Sequence, residues 1–170
     1  MQKPITHPLA GLIIASAQIL YSLVLTFSGW STNTTLGMLS YLILMGGLIV
    51  FIFLHGRSVD NTASFSQLFT YGFKATAVAT LVLIGFQVVF FMLFPEYREQ
   101  LFDIAREQML KQGNVPEEQI QPALEILRKF FWPTVIGGIL LNNLFTGALA
   151  GLIGAWITPK KESNPFDSRS

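Results

Sequence analysis

The sequence lacks cysteine altogether and contains few charged residues. Without cysteine the chain has no disulfide bond, no thiolate metal ligand and no thiol nucleophile. Asp, Glu, Lys and Arg together make up 12% of the 170 residues, against roughly 25% in a typical soluble domain. Apolar residues make up 51%. A soluble fold of this length needs a more polar surface, so the composition indicates that the main solvent of this protein is lipid.

The scarcity of charge also excludes classes of function. The net charge is only +1, so the chain has no strong basic field and we expect no nucleic-acid partner. The sequence contains no glycine-rich phosphate loop, nucleophile elbow or HExxH zinc motif. His7 and His55 have no further His and no carboxylate at metal-ligand spacing, and we interpret them as surface or interfacial residues. We therefore expect a non-enzymatic protein without catalytic residue, metal or cofactor.

Four long apolar segments without Asp, Glu, Lys or Arg run along the chain, with lengths of 20, 19, 20 and 24 residues. A helix of about 20 residues, rising about 1.5 Å per residue, crosses a hydrocarbon layer of about 30 Å. The sequence therefore predicts an all-α fold, a single domain over residues 1–170 built as an integral membrane bundle of four transmembrane helices. The predicted spans are residues 9–28, 36–54, 75–94 and 134–157.

The segment before the third span admits two interpretations. Phe65, Leu68, Phe69 and Phe73 recur at helical spacing and share one face, which is typical of a helix lying along the membrane interface. The alternative is that the third span begins earlier than residue 75.

Charge returns between the third and fourth spans, where residues 96–129 hold 12 of the 21 charged residues. Apolar residues, Leu124 and Leu127 among them, recur at helical spacing on both sides of a turn at Gly113. We predict a charged antiparallel helical hairpin outside the membrane over residues 95–132, its first arm continuous with the third span and its second leading into the fourth.

Two prolines and a group of aromatic residues affect the prediction of this hairpin. Pro116 should lie in the first turn of the second arm, and Pro122 should kink that arm or delay its start. The alternative to a projecting hairpin is a pair of amphipathic helices lying flat on the lipid, anchored by Phe130, Phe131 and Trp132.

The distribution of Lys and Arg predicts the orientation in the membrane. Four spans place both termini on one side, which holds six Lys and Arg residues, while the hairpin side holds five. The first connection is uncharged, and Lys160 and Lys161 follow the last span directly. The positive-inside rule therefore predicts cytoplasmic termini and an outward-facing hairpin.

Polar side chains within the spans are candidates for function, because an unsatisfied polar group is costly in hydrocarbon. Gln18, Gln87, Asn142 and Asn143 are such residues. They either form interhelical hydrogen bonds, worth about 0.6 kcal/mol each on average, or line a path for a small solute. We favour the hydrogen bonds, because no ionisable residue accompanies them.

Glycines in the fourth span predict close helix packing. Gly147, Gly151 and Gly154 lie within one small-residue segment, and glycines four residues apart let two helices touch backbone to backbone. The contact is either within the bundle or with a second copy of the chain. The glycine pairs at 46–47 and 137–138 should be further points of close approach.

Several segments of the chain resemble a known family. They are SFSQLF at 64–69, GF at 72–73, PEY at 95–97, EQM at 107–109, QG at 112–113, EEQI at 117–120 and LRKF at 127–130, followed by Pro133. From residue 8 to residue 161 the order of features is similar to a family of small bacterial four-span inner-membrane proteins classed as a domain of unknown function. In an inner membrane, the orientation predicted from the Lys and Arg distribution places the hairpin in the periplasm, and the resemblance itself brings no substrate, cofactor or catalytic residue.

Two hypotheses of function remain. In the first, the protein acts through contacts of its hairpin and glycine-lined span with itself or with a membrane partner, as a homo-oligomer or a membrane protein complex in the bilayer. In the second, it is a small transporter or channel subunit with a polar path near Asn142, Asn143 and Gln87. A membrane enzyme acting on lipid is a weaker third hypothesis, because the acid, base and nucleophile are missing.

Overall fold

The computed structural model describes residues 5–30, 33–112 and 116–161. Within these ranges the chain forms six α-helices and no β-strand, which confirms the predicted all-α class. The helices are α1 (His7–Phe27), α2 (Thr34–Ser58), α3 (Phe65–Leu93), α4 (Pro95–Gln112), α5 (Glu117–Lys129) and α6 (Phe131–Ile157).

Helices α1, α2, α3 and α6 are long and apolar enough to cross a membrane. Their outer surfaces carry large exposed apolar side chains, such as Leu81 (68% exposed), Leu141 (74%) and Trp156 (79%). Apolar surface on this scale is unfavourable in water and favourable against lipid tails. The four predicted spans are thereby confirmed, and the protein is a small membrane protein.

Helix α3 decides between the two interpretations of the segment before the third span. Phe65–Leu93 is one uninterrupted helix, so this segment is an early start of the span. The start is set by a reciprocal cap: the N–H of Ser64 donates to Oε1 of Gln67 (2.8 Å), and the N–H of Gln67 donates to Oγ of Ser64 (3.3 Å).

The ends of the hairpin arms correct two predictions and exclude one of the two alternatives, a kink or a delayed start, that were predicted for Pro122. The first arm is not continuous with the third span, because the helix stops at Phe94, and a residue before proline disfavours the helical conformation. Pro116 precedes α5 and is not in its first turn. Pro122 does not delay α5, which begins at Glu117. The predicted turn residue Gly113 lies outside the described residues.

The chain forms two compact units. The first comprises residues 1–83 and 141–170, and the second comprises residues 84–140. Helices α3 and α6 each contribute residues to both units.

In the first unit, α1 and α2 pack antiparallel. The Nε2 of Gln18 donates to the carbonyl oxygen of Ser40 (3.1 Å) and to its Oγ (3.3 Å), and the hydroxyl of Tyr21 donates to the carbonyl oxygen of Leu36 (2.8 Å). Gln18 is 3% exposed. These bonds join the two helices through polar groups that would otherwise be unsatisfied in lipid.

The centre of the first unit is built on glycines. Ile52 of α2 is fully buried, and its Cδ1 would lie only 2.6 Å from a Cβ at Gly72 of α3 and 2.9 Å from one at Gly154 of α6. Side chains of this size reach the core only because both facing residues lack a Cβ. Thr76 of α3 likewise occupies the space beside Gly147 of α6. Small residues thus allow α2, α3 and α6 to approach closely.

Only some of the glycines that were predicted to lie close to another helix do so. A Cβ at Gly46, Gly137 or Gly138 would meet no described atom within 4 Å. Gly47 does approach another helix, with Cγ1 of Ile14 2.9 Å from the position of a Cβ. Within the described chain, the prediction of close approach is therefore confirmed for Gly47 and not for the other three, because only tertiary contact decides which glycine faces a neighbouring helix.

The second unit contains the predicted antiparallel hairpin of α4 and α5. Phe102 of α4 and Ile120 and Leu124 of α5 are buried. Phe131, at the start of α6, packs edge-on against Phe91 of α3 (ring centroids 5.2 Å apart) and against Phe102 (5.6 Å). These aromatic contacts hold the base of the hairpin to the ends of the two spans it connects.

We predict that Gly147→Ala destabilises the first unit whereas Gly137→Ala, on the same helix, does not. The added methyl at residue 147 would overlap the Thr76 side chain, and such overpacking typically costs about 1–3 kcal/mol. At residue 137 the methyl meets open space. Thermal unfolding of both variants in the same detergent measures the difference, and equal melting temperatures would contradict this account of the core.

Candidate functional site

The glycines predicted as packing or interaction residues face helices of the same chain. Gly147 and Gly151 contact α3, and Gly154 contacts α2, all within the first unit. Their surface is therefore occupied inside the chain. A partner that reaches this protein has to use other surfaces.

The polar residues of the spans lie in different surroundings. Asn143 is only 4% exposed, and its Nδ2 has no hydrogen-bond partner among the described residues. Asn142, next to it, lies on the exposed side of α6. Gln87 is partly buried and belongs to the second unit, whereas both asparagines belong to the first.

The hairpin buries one of its two predicted interaction residues. Leu124 is 8% exposed and Leu127 is partly buried, since this face of α5 packs within the second unit. Pro122 and Ile126 on the opposite face of α5 and the C-cap residue Phe130 follow one another at four-residue intervals, and all three are exposed. We call these three residues the outer row.

Charged and aromatic side chains fasten the base of the hairpin. Nη2 of Arg128 on α5 lies 2.8 Å from Oε2 of Glu99 on α4, and the Arg128 guanidinium lies 4.7 Å from the ring centroid of Phe102. Arg98 approaches the other oxygen of Glu99 (3.8 Å). Both partners of the closer ion pair are about half exposed, so it contributes under about 1 kcal/mol and mainly orients the two arms.

A polar pocket lies at the end of the first unit where α1 and α3 begin and α2 ends. Its volume is about 300 Å³, at the lower limit of about 300–1,000 Å³ for ligand sites. We call it the basic pocket. Its lining residues are His7, His55, Ser66, Gln67, Thr70, Tyr71 and Lys74.

Tyr71 organises the histidine side of the basic pocket. It is 6% exposed, and its hydroxyl donates to the carbonyl oxygen of Ile5 (3.0 Å). The His55 ring stacks on the Tyr71 ring with centroids 4.1 Å apart, and the His7 ring stands edge-on to it at 6.4 Å. Nδ1 of His55 is buried with no hydrogen-bond partner in the described chain. One tyrosine thus brings together two histidines from different helices.

The other side of the basic pocket is the polar face of α3. Ser66, Thr70 and Lys74 are four residues apart and share this face, and all three are exposed. Gln67 beside them uses its Oε1 in the helix cap, which leaves its amide N–H groups as donors. This arrangement offers a cation and several hydrogen-bond donors to a ligand.

Sequence reasoning missed the basic pocket, although each of its parts was visible. His7 and His55 are far apart in the chain, and we interpreted each as a separate surface residue. The signal that points to the site is the polar row of α3 that lies beside its phenylalanines, but only the packing of α1, α2 and α3 places the histidines next to it. Within the described ranges, no three His, Asp or Glu side chains are placed to hold a metal ion.

Comparison with known proteins gives one match. The family model described as "Protein of unknown function (DUF4199)" matches residues 9–160, which include all four membrane helices and the hairpin. No curated protein and no solved structure matches the chain. The resemblance noted in the sequence is thereby confirmed: the chain belongs to the DUF4199 family of proteins of unknown function.

Proposed function

We propose that this membrane protein is not an enzyme and that it acts by binding a second membrane protein through the hairpin of α4 and α5. The observation that carries the proposal is the outer row of α5. Ile126 is 60% exposed and Phe130 is 49% exposed, on a helix that lies between two spans and has its other apolar face buried. A helix with two apolar faces, one of them unused, is typical of a helix that packs against a partner.

Charge favours a different protein over a second copy of this chain. Residues 95–132 contain seven acidic and five basic residues, so this segment has a net charge of −2 and a basic partner is electrostatically more favourable than a second copy of the same hairpin. Glu118 and Glu125 lie along one margin of the outer row and are exposed, together with Lys129, whose ammonium lies 5.9 Å from the ring centroid of Phe130; the two carboxylates outnumber this one cation. An apolar row with an acidic margin complements a helix that carries apolar residues flanked by Lys or Arg.

The same charge pattern supports an orientation, with the termini in the cytoplasm and the hairpin in the periplasm of a bacterial inner membrane. In the described part of the first unit, the four basic residues are Arg57, Lys74, Lys160 and Lys161, against one acidic residue, Asp60. All five lie near one end of the four spans. The positive-inside rule compares Lys and Arg on the two sides, and over the whole sequence the side of the termini has six of them against five in the hairpin.

We predict that Gln108→Cys reacts with a membrane-impermeant maleimide in intact spheroplasts, whereas Lys160→Cys reacts only after lysis. Both positions are exposed, and the natural chain contains no cysteine that would react. The two sites therefore report the two sides of the membrane. The reverse labelling pattern would contradict the proposed orientation.

For the partner contact, we predict that Ile126→Cys forms a cross-link with another membrane protein and that Gln121→Cys on the same helix does not. Both residues are exposed, but Gln121 lies away from the outer row. Cross-linking in native membranes with a maleimide–benzophenone reagent, whose maleimide reacts with the introduced thiol and whose benzophenone inserts into a neighbouring C–H bond on irradiation, followed by mass spectrometry, identifies the adducts.

A second variant distinguishes loss of the partner contact from loss of the folded structure. Phe130→Asp removes an exposed apolar group, so the melting temperature should change little, while the cross-link from residue 126 should fall by about tenfold or more. Equal adducts from residues 121 and 126, or only homodimers, would contradict a specific partner on the outer row.

One observation supports the alternative of a small transporter or channel subunit. Asn143 is buried in the first unit with its Nδ2 unpaired among the described residues, and buried unpaired donors are uncommon in native proteins. A polar group of this kind in an apolar bundle fits a path for a small solute.

Asn143→Leu distinguishes the two functions. Replacing an unsatisfied buried amide by an apolar group of similar size is nearly neutral or stabilising, so we predict an unchanged or higher melting temperature in detergent. If the hairpin contact is the function, partner cross-linking from residue 126 stays at the level of the parent chain. A variant that folds and cross-links normally but no longer supports growth where the parent does would favour the path.

A further inference from the structure

We propose that the basic pocket binds a phosphate group, carried either by a lipid headgroup or by a soluble phosphate compound. This site lies in the first unit and is independent of the hairpin contact proposed above. None of its lining residues is Asp or Glu. The pocket therefore offers a cation and neutral donors without a fixed negative charge, which is the composition that an anionic acceptor requires.

Lys74 supplies the positive charge of the site. It is exposed on α3, and within the described chain it has no carboxylate partner. Its ammonium group brings three donors on a flexible stem. An unpaired lysine at the wall of a pocket is free to bind an anion, whereas the hairpin residue Lys111 lies 3.3 Å from Glu107.

Neutral donors surround this charge on two sides. On α3, the hydroxyls of Ser66 and Thr70 lie in the same row as Lys74, and the first turn of the helix contributes a partial positive charge. On the other side, the rings of His7 and His55 are held against Tyr71. Donors that converge from three helices suit a group with several acceptor oxygens, and phosphate is such a group.

Depth in the membrane favours phosphate over other anions. The pocket lies where α1 and α3 begin and α2 ends, and the ends of spans lie at the level of the lipid headgroups. Arg57, Lys160 and Lys161 near the same end add to a positive potential that draws anionic headgroups or soluble phosphates to this surface.

The test uses the full chain, purified and delipidated in a neutral detergent, with short-chain phosphatidylglycerol as the probe and native mass spectrometry as the readout. We expect saturable binding with one site. Lys74→Gln should weaken it about tenfold, equivalent to about 1.4 kcal/mol.

Lys160→Gln is the matched control: it removes the same charge at the same end, from a residue that lies over the Phe65 ring and does not line the pocket. Its effect should stay within about twofold, the small change typical of a screened surface charge.

Two competing ligands identify which chemical group the pocket binds and whether a lipid or a soluble compound carries that group. Oleate carries a carboxylate in place of the phosphate, and it should not compete. Competition by inorganic phosphate would assign the site to soluble phosphates, and its failure to compete would assign the site to lipid headgroups. The proposal is overturned if neither phosphate form binds, if oleate competes as well as phosphatidylglycerol, or if the two lysine variants weaken binding equally.

Discussion

The close approach of α2, α3 and α6 at glycine positions is the contact on which the rest of the first unit depends. Lipid tails are as apolar as leucine side chains, so helices in a bilayer gain little from hiding apolar surface, and van der Waals contact must hold them together. Ile52 supplies this contact by packing onto Gly72 and Gly154. Because these glycines lie near the ends of their helices, the same contact brings the end of α2 beside the start of α3, where the basic pocket forms.

The two units differ in the chemistry that they present. The described charges of the first unit are four basic residues against Asp60, and its pocket is lined by a lysine, two histidines and neutral donors. The hairpin residues carry an excess of acidic groups and expose the outer row of α5. The proposed anion site and the proposed hairpin contact therefore rest on different chemistry, a lysine with neutral donors in the first and an exposed apolar row in the second.

The four spans were predictable because a run of about 20 apolar residues has few stable alternatives outside a membrane. Their boundaries were less accurate, since α3 begins at Phe65 and not at residue 75. Hydropathy measures where a helix is apolar, but the start of α3 is decided by the hydrogen bonds between Ser64 and Gln67. In the hairpin, helical spacing placed Leu124 and Leu127 on one face of the second arm, and that face is the one that packs within the second unit, whereas Ile126 on the opposite face is exposed. What periodicity did not indicate is that the opposite face also carries exposed apolar residues.

The sequence by itself determined the surroundings of each segment, because apolar runs indicate lipid and a charged segment indicates water. It also indicated close helix packing through its glycines. These are properties of single segments, governed by local composition and spacing. Only the tertiary structure decided which glycines face a neighbour, which row of α5 stays open, and that His7 and His55 meet at Tyr71. These features depend on contacts between residues far apart in the chain, and helix packing sets them through the shape of side chains that local sequence does not bring together.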